Sequence, residues 1–397
     1  MKAESHPSSF VKIAVVCYLL HLLTIVKIAL VENFAWWALF YLTWAVWRRE
    51  ARPSWHVLYI PLMVYAIVSS VSSLAAPRAL HGANAEGMLW FKITIFPVAI
   101  VLYRAVPRLC ELATYALAIV AGGASAWGLI EFAFLDRRDL EHRINGPSSH
   151  VMTFSGILLP LSLMMLLLWY RQRKWWQLVA GSLATLTLLL TFTRSVWLGW
   201  AAAAFVLIVL LRPRLAFYAL PMVILFITFL PLDLFGRLVS TFDMKQSSNF
   251  DRIRMLEAGV EIIKDFPILG VGPANVKEVY SLYRKPDAPR PRPPHLHNNV
   301  IQLWAERGVL GLAAYLAFLF LFFRECVRAW KGPQRMWAEI GVAVAVSLTV
   351  AGLFEFNFGD TEVFYLMLDL FALVAVAVEQ PLRETNEVAA SLVPATT

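Results

Sequence analysis

The amino-acid sequence predicts an all-α, polytopic membrane protein of about twelve transmembrane helices, and three observations lead there. Of 397 residues, 59% are hydrophobic and only 16% charged, with a mean hydropathy of +0.63. Soluble domains average about 45–50% apolar and about 25% charged residues. A chain this long already fills a core, so the excess apolar surface calls for lipid as its solvent. Apolar runs of spanning length recur along the chain, and clusters of Lys and Arg alternate regularly between the short loops.

A spanning helix takes roughly 20 mostly apolar residues to cross about 30 Å of hydrocarbon. That rule gives spans near 9–26, 29–47, 56–76, 88–104, 110–134, 151–170, 175–192, 196–211, 215–232, 303–323, 337–356 and 362–379. The first run is followed at once by more apolar sequence and lacks a small-x-small cleavage site, so it is expected to be an uncleaved span. The hairpins at Lys27 and Arg194 are tight and carry no Pro-Gly turn.

Orientation follows from the basic residues of the short loops. With a cytoplasmic N-terminus, the inward loops hold Arg48, Arg49 and Arg52; Arg104 and Arg108; Arg171, Arg173 and Lys174; Arg212 and Arg214; and Arg324, Arg328, Lys331 and Arg335. The outward loops hold fewer: Lys27, Arg78, the Arg137/Arg138/Arg143 group and Arg194. The expected organisation is nine helices over 1–232, an outer loop over 233–298, three helices over 299–379 and a polar, disordered cytoplasmic tail over 380–397.

The outer loop has internal order. Ser247, Ser248 and Asn249 are candidate N-caps with Asp251 in the first turn. Ile253, Leu256, Val260 and Ile263 recur at helical spacing, predicting an amphipathic helix over 249–265. Phe266-Pro267 ends it, Gly270-Val271-Gly272-Pro273 makes a turn, and 274–284 can form a second helix. Pro286 to Pro294 is too rich in proline for helix or sheet and predicts an extended arm returning to the membrane.

The net charge of +8 does not signal nucleic acid, because the basic residues lie between apolar runs rather than in one patch. Cys17, Cys110 and Cys326 have no partners at metal or disulfide spacing. There is no Walker loop, HExxH or CxxC, nor an outward Asp pair at metal-ligand spacing, so no metal or cofactor is expected.

Ionisable groups at membrane depth are expensive and therefore candidates for function. The strongest cluster is the re-entry His297-Asn298-Asn299 through Glu306-Arg307-Gly308-Val309-Leu310-Gly311. On one continuous helix, His297 and Gly308 would lie about 20° apart in azimuth, with Glu306 opposite. A histidine at the water–lipid boundary can take a proton from a sugar hydroxyl near neutral pH; alternatively it caps the helix. Arg194, in Thr193-Arg194-Ser195, is either functional or a hairpin anchor above Trp197 and Trp200. Arg252 and Arg254 on the outer helix, with Arg290 and Arg292 on the arm, suit the oxygens of a pyrophosphate, although each alone reads more readily as a solvated charge. Arg143 to His150 forms a polar outward loop that can touch substrate. Glu355-Phe356-Asn357-Phe358-Gly359-Asp360-Thr361-Glu362 sets three carboxylates at an outer edge, where Asp360 can cap the last helix. His21, in the first span, reads as a satisfied core residue.

At these residues the chain resembles the O-antigen ligase family, within a larger group that includes O-antigen polymerases and bacterial O-linked oligosaccharyltransferases. The resemblance rests on Thr193-Arg194-Ser195, on Arg252 ahead of Pro267-Ile268-Leu269-Gly270-Val271-Gly272-Pro273, on His297-Asn298 with Glu306-x-Gly308-x-x-Gly311, and on Gly359-Asp360. Where relatives often carry Trp after the arginine, this chain has Leu256. The resemblance implies a C-type membrane glycosyltransferase of the bacterial inner membrane with a periplasmic active site. The implied donor is a glycan on undecaprenyl pyrophosphate, and the implied acceptor a sugar hydroxyl of lipid A–core. His297, Arg194 and Arg252 would be catalytic, with Arg254, Asn298, Arg143, His150, Asp360, Arg290 and Arg292 at the substrate, and no metal. A polymerase, a protein O-oligosaccharyltransferase and, from another class, a transporter of anionic or lipid-linked sugars remain the competing expectations. Transporters usually keep their charges near the midplane within repeats, whereas here the charges gather at outer edges and no repeat is visible.

Overall fold

The computed structural model describes residues 8–76, 87–134, 143–213 and 246–392, with the backbone alone from 380 onward. Among the described residues all regular structure is helical. In chain order the helices are α1 (Ser9–Leu23), α2 (Ile28–Trp47), α3 (Tyr59–Ala75), α4 (Ile95–Ala105, ending an apolar run from Gly87), α5 (Leu109–Phe134), α6 (Val151–Gln172), α7 (Trp175–Leu190) and α8 (Arg194–Leu211). After these come α9 (Ser247–Asp265), α10 (Val276–Tyr283), α11 (Asn299–Ala329), α12 (Arg335–Ala351) and α13 (Thr361–Leu392).

Every expected span that falls on described residues coincides with a helix; the span at 215–232 and the loop start at 233–245 lie outside the described residues. Among the described residues, six helices are long and apolar enough to cross a membrane: those of α5, α6, α8 and α11, the run Gly87–Ala105, and Thr361–Glu379 of α13. Residues 380–392, expected as a disordered tail, instead continue the α13 helix.

The helices sort by burial. α6 and the Thr361–Glu379 part of α13 are strongly apolar and almost wholly enclosed, as central helices must be. α6 packs on α7 and α12, α13 on α4 and α12, and α11 on α3. Peripheral helices turn large apolar side chains outward, among them Trp36, Trp37, Phe40 and Trp47 of α2 and Ile119, Trp127 and Ile130 of α5. Such faces belong in hydrocarbon, where each helix satisfies its own backbone. The protein is membrane-embedded.

Polar side chains join the helices at one end of the bundle, where Glu339 on α12 receives Arg171 and Arg335, and Glu379 on α13 receives Arg104 and His56. The starts of α6, α8, α11 and α13 and the ends of α3 and α12 gather at the other end, beneath α9 and α10. These two helices carry a small core of their own. Met255, Ala258, Ile262 and Ile263 of α9 pack with Val276 and Tyr280 of α10, and with Leu296 and Ala305.

The expectation of one smooth helix after His297 fails at Gly308. Its backbone, at φ 67 and ψ −176, breaks α11, so a common azimuth for His297 and Gly308 has no meaning. The break frees backbone groups that the Pro267–Gly272 loop takes up. Val271 N donates to Ala305 O and Gly272 N to Glu306 O, each at 2.9 Å, and Val309 N donates to Pro267 O at 2.9 Å. Ser72 of α3 adds a hydroxyl bond to Glu306 O at 2.8 Å. A Cβ on Gly308 would collide with Ile268 O, and one on Gly270, at φ 69, with the backbone of Glu306. Both positions need glycine because two backbones meet there in left-handed conformations. This clasp fixes α9 over the bundle.

Candidate active site

At the gathered end of the bundle a pocket of about 160 Å³ is lined by Arg143, Met152, Thr193, Arg194, Ser195, Ser248, Asp251, Arg252, Arg290 and His297. Four guanidinium groups and one imidazole therefore converge from separate segments of the chain.

Arg194 opens α8 and is 7% exposed. Its guanidinium donates to Gln246 Oε1 at 2.8 Å, Ser248 Oγ at 3.0 Å and Asn249 Oδ1 at 2.7 Å. Ser248 and Asn249 are thereby spent on Arg194. The N-cap of α9 is Gln246, without a side-chain bond, rather than the expected Ser247, Ser248 or Asn249. Arg252 stands one turn into α9, which lies close on α11 because Gly259 faces Leu296 and Ile301. Burial and the neighbouring Arg290 lower the Arg252 pKa, while Glu355 and Asp251 oppose them. Arg290, midway along the proline arm, reaches Asp251 Oδ2 at 3.0 Å. Arg143 enters from the loop before α6, where Glu131 holds the N–H groups of Asn145 and Gly146. Burial, then the charge of Arg252, lowers the Arg143 pKa. Packing cations this closely costs energy unless an anion joins them, and planar guanidiniums match phosphate oxygens.

His297 precedes α11 at φ 51, a left-handed conformation unusual outside glycine. Leu296, buried in the α9 core, and Asn298, which caps α11 by accepting from Ile301 N at 2.9 Å, hold it there. The two asparagines staple the α12–α13 connection beneath the histidine. Asn298 Nδ2 donates to Leu353 O at 2.8 Å, Asn299 N to Gly352 O at 2.7 Å, and Asn299 Nδ2 to Asn357 Oδ1 at 2.6 Å. The result brings Glu355 to His297, with Nδ1 at 2.9 and 3.0 Å from the two carboxylate oxygens. Burial alone would raise the Glu355 pKa. The hydrogen bond and charge of His297, with His295 and Arg252, prevail and hold it at about 2. Arg252 lies 3.5 Å from the same carboxylate.

The protonation pattern follows. An ionised carboxylate only accepts, so His297 Nδ1 donates, and a neutral form of the ring would carry its lone pair on Nε2. His295 Nδ1 accepts from His297 N at 3.3 Å, so its proton sits on Nε2, 3.6 Å from Glu355. His295, His297 and Glu355 lie close enough to suggest a metal site. As hydrogen-bonded groups both imidazoles can turn an N–H toward the carboxylate, whereas coordination through His295 Nε2 would set an N–H on Nδ1 against that of His297. The trio fits a hydrogen-bonded group.

Other residues expected at the substrate have different partners. Arg254 pairs with Glu257 and Asp287 and lies over the Phe250 ring. Arg292 pairs with Glu278 at 2.7 Å. His150 caps α6 by accepting from Met152 N at 3.1 Å. Asp360 caps α13 at Val363 N and receives Thr153, with burial, the largest effect, raising its pKa. Asn298 is occupied in the staple. Glu355, His295 and Asp251 join the site without having been singled out as candidates; the composition of the 355–362 stretch was the one signal for Glu355.

With this geometry in place, comparison with known proteins adds a family. The sequence model described as O-Antigen ligase matches residues 179–316, a segment that holds Arg194, Arg252, Arg290 and His297. The match bears out the resemblance to the O-antigen ligase family and supports a membrane glycosyltransferase of the O-antigen ligase and polymerase type. No curated protein matches the chain.

Proposed function

We propose that this protein transfers a glycan from undecaprenyl pyrophosphate to a sugar hydroxyl of lipid A–core, at the periplasmic face of the inner membrane and without a metal ion. The observation that carries the proposal is the convergence of Arg143, Arg194, Arg252 and Arg290 with His297 on one pocket. The alternation of basic loops favours a periplasmic position for that end of the bundle.

In the proposed step the acceptor hydroxyl attacks the anomeric carbon as its proton passes to Nε2 of His297. The bond from that carbon to the pyrophosphate oxygen breaks, and its electron pair leaves with the pyrophosphate. Attack opposite the leaving group inverts the anomeric centre. The arginines stabilise the developing charge, as preorganised cations do most effectively away from bulk water. Their fixed positive field takes the part that a divalent ion plays in other phosphate sites, and full activity is expected in excess EDTA; a clear loss there would restore a metal to the scheme.

His297→Ala is expected to lower transfer by at least about 10²-fold, the lower end for a general base, with insertion and folded yield unchanged. The assay uses purified protein, an undecaprenyl-pyrophosphate-linked glycan and, as alternative acceptors, lipid A–core, a second lipid-linked unit or a peptide. Wild-type rates in the variant would remove the base. Preference for the second lipid-linked unit would make the protein a polymerase, and preference for the peptide a protein ligase.

A further inference from the structure

Glu355 stands between the two halves of the site. Its carboxylate accepts from His297 Nδ1 at 2.9 and 3.0 Å and lies 3.5 Å from Arg252 NH2. The side chain is only 12% exposed, and the asparagine staple sets its place from both sides of the α12–α13 connection. Two consequences follow from the chemistry of the groups. Because the carboxylate can only accept, it forces the His297 proton onto Nδ1 and leaves Nε2 as the basic atom. Because it is shared, it also occupies part of the Arg252 guanidinium, a group with five N–H donors.

We propose that Glu355 is a positioning residue: it fixes the tautomer and orientation of His297 and couples that base to the donor site through Arg252. The proposal rests on His297 acting as the base. A pyrophosphate arriving at Arg252 competes with Glu355 for the same cation. Its binding draws Arg252 from the carboxylate and leaves Glu355 wholly to His297, so the base is best held when the donor is present. Histidines elsewhere are tuned in this way by a partner on the non-reacting nitrogen.

The test compares wild type, Glu355→Gln, Glu355→Ala and His297→Ala as full-length purified proteins, with the lipid-linked donor and lipid A–core. Glu355→Ala is expected to lower kcat about 10–100-fold, the range for losing a partner that orients a working histidine. The donor KM stays level or falls, since Arg252 loses a competitor. Glu355→Gln keeps the volume and one acceptor for Nδ1–H, but turns its amide N–H groups toward His295 and Arg252. It is expected to recover part of kcat. In ¹⁵N spectra of the histidine rings, Glu355→Ala shifts the His297 signal toward a mixture of tautomers, which mere loosening of the fold would not select.

Three results would overturn the proposal. One is a Glu355→Ala kcat within twofold of wild type; another is a donor KM that rises in step with the loss of kcat, which would make Glu355 part of donor binding or folding. The third, an active His297→Ala, would remove the base reading and this inference with it. An inactive His297→Ala beside an active Glu355→Ala would sink this inference alone.

Discussion

Among the described residues, two histidine–carboxylate pairs share a length of 2.9 Å in opposite circumstances. Inside the bundle, His21 Nε2 lies 2.9 Å from Asp369 Oδ2, and both side chains are closed off at 0% and 1% exposure. At the pocket, His297 Nδ1 lies 2.9 Å from Glu355 Oε2, with 15% and 12% exposed. The pairs differ at the second ring nitrogen. His21 Nδ1 lies 2.9 Å from the Val31 carbonyl, which can only accept, so that nitrogen keeps a proton. Tyr18 donates to the remaining carboxylate oxygen at 3.1 Å, and Tyr103 meets Tyr18. Every position on the inner pair is filled by groups of α1, α2, α4 and α13. At His297 the second nitrogen forms no hydrogen bond among the described residues, and the ring lines a pocket. Distance and burial alone would rank the inner pair first. The unfilled nitrogen marks the outer one as chemical and the inner one as structural.

Substituting the inner carboxylate is the strongest way to break that comparison. Asp369→Leu leaves His21 Nε2 without a partner in the bundle and the Tyr18 hydroxyl with Tyr103 alone, and is expected to cost about 3–5 kcal/mol of stability, the range for breaking a buried pair. The measurement is thermal unfolding in detergent together with turnover per folded molecule, which should stay at the wild-type value. Asp369→Asn offers an N–H to His21 Nε2 and a carbonyl to Tyr18, satisfying the same atoms without charge. Its cost should be about 1 kcal/mol or less, because paired polar groups contribute little net. An amide is thus tolerated inside the bundle and costly at Glu355. If Asp369→Asn instead lost turnover at full stability, the inner pair would have a part in the chemistry and the contrast would collapse.

The same contrast shows what a linear sequence can reveal. Spanning helices are local and repetitive, so length and apolar content were enough to find those that the structure describes. Arg194, Arg252 and His297 stand in segments whose residue pattern resembles a family, and the pocket gathers them. Their partners were another matter. Glu355 lies far along the chain from His297 and sits in a stretch that reads as helix capping; only the folding of the Asn298–Asn299 staple onto the α12–α13 connection makes it a neighbour. Asn298 sits beside His297 in sequence and looked like a substrate contact, yet its amide is spent on Leu353 and on capping. The N-cap of α9 was misassigned because Ser248 and Asn249 answer to Arg194, a demand from another helix. Gly308 admits a neighbouring backbone, that of the Pro267–Gly272 loop, and its positive φ shows that it also ends one helical segment and begins another. Elements dictated by neighbouring residues were legible, and elements dictated by a partner across the bundle were not.

A smaller effect sharpens the outer half of the comparison. Burial lowers the pKa of His295 to about 4; Glu355 opposes this, and the positive field of His297, Arg252 and Arg290 adds to it. The unfolded chain has an ordinary histidine near 6.5, so between about pH 6.5 and 4 it binds a proton that the folded site refuses. Stability therefore falls as pH drops through that window. Glu355, held at about 2, contributes stability that is lost only lower down, as pH falls from about 4.5 to 2. The two windows overlap only between about pH 4.5 and 4. His295→Asn places its side-chain oxygen where Nδ1 accepts the His297 N–H, and removes the titrating ring. Wild type is expected to lose about 1–3 kcal/mol between pH 7 and 4, after allowance for the partial exposure of His295. The variant should lose distinctly less over the same range and follow wild type below pH 4. Parallel curves from pH 7 to 4 would mean that His295 titrates as it does in water, and that the field at the pocket is weaker than four converging arginines require.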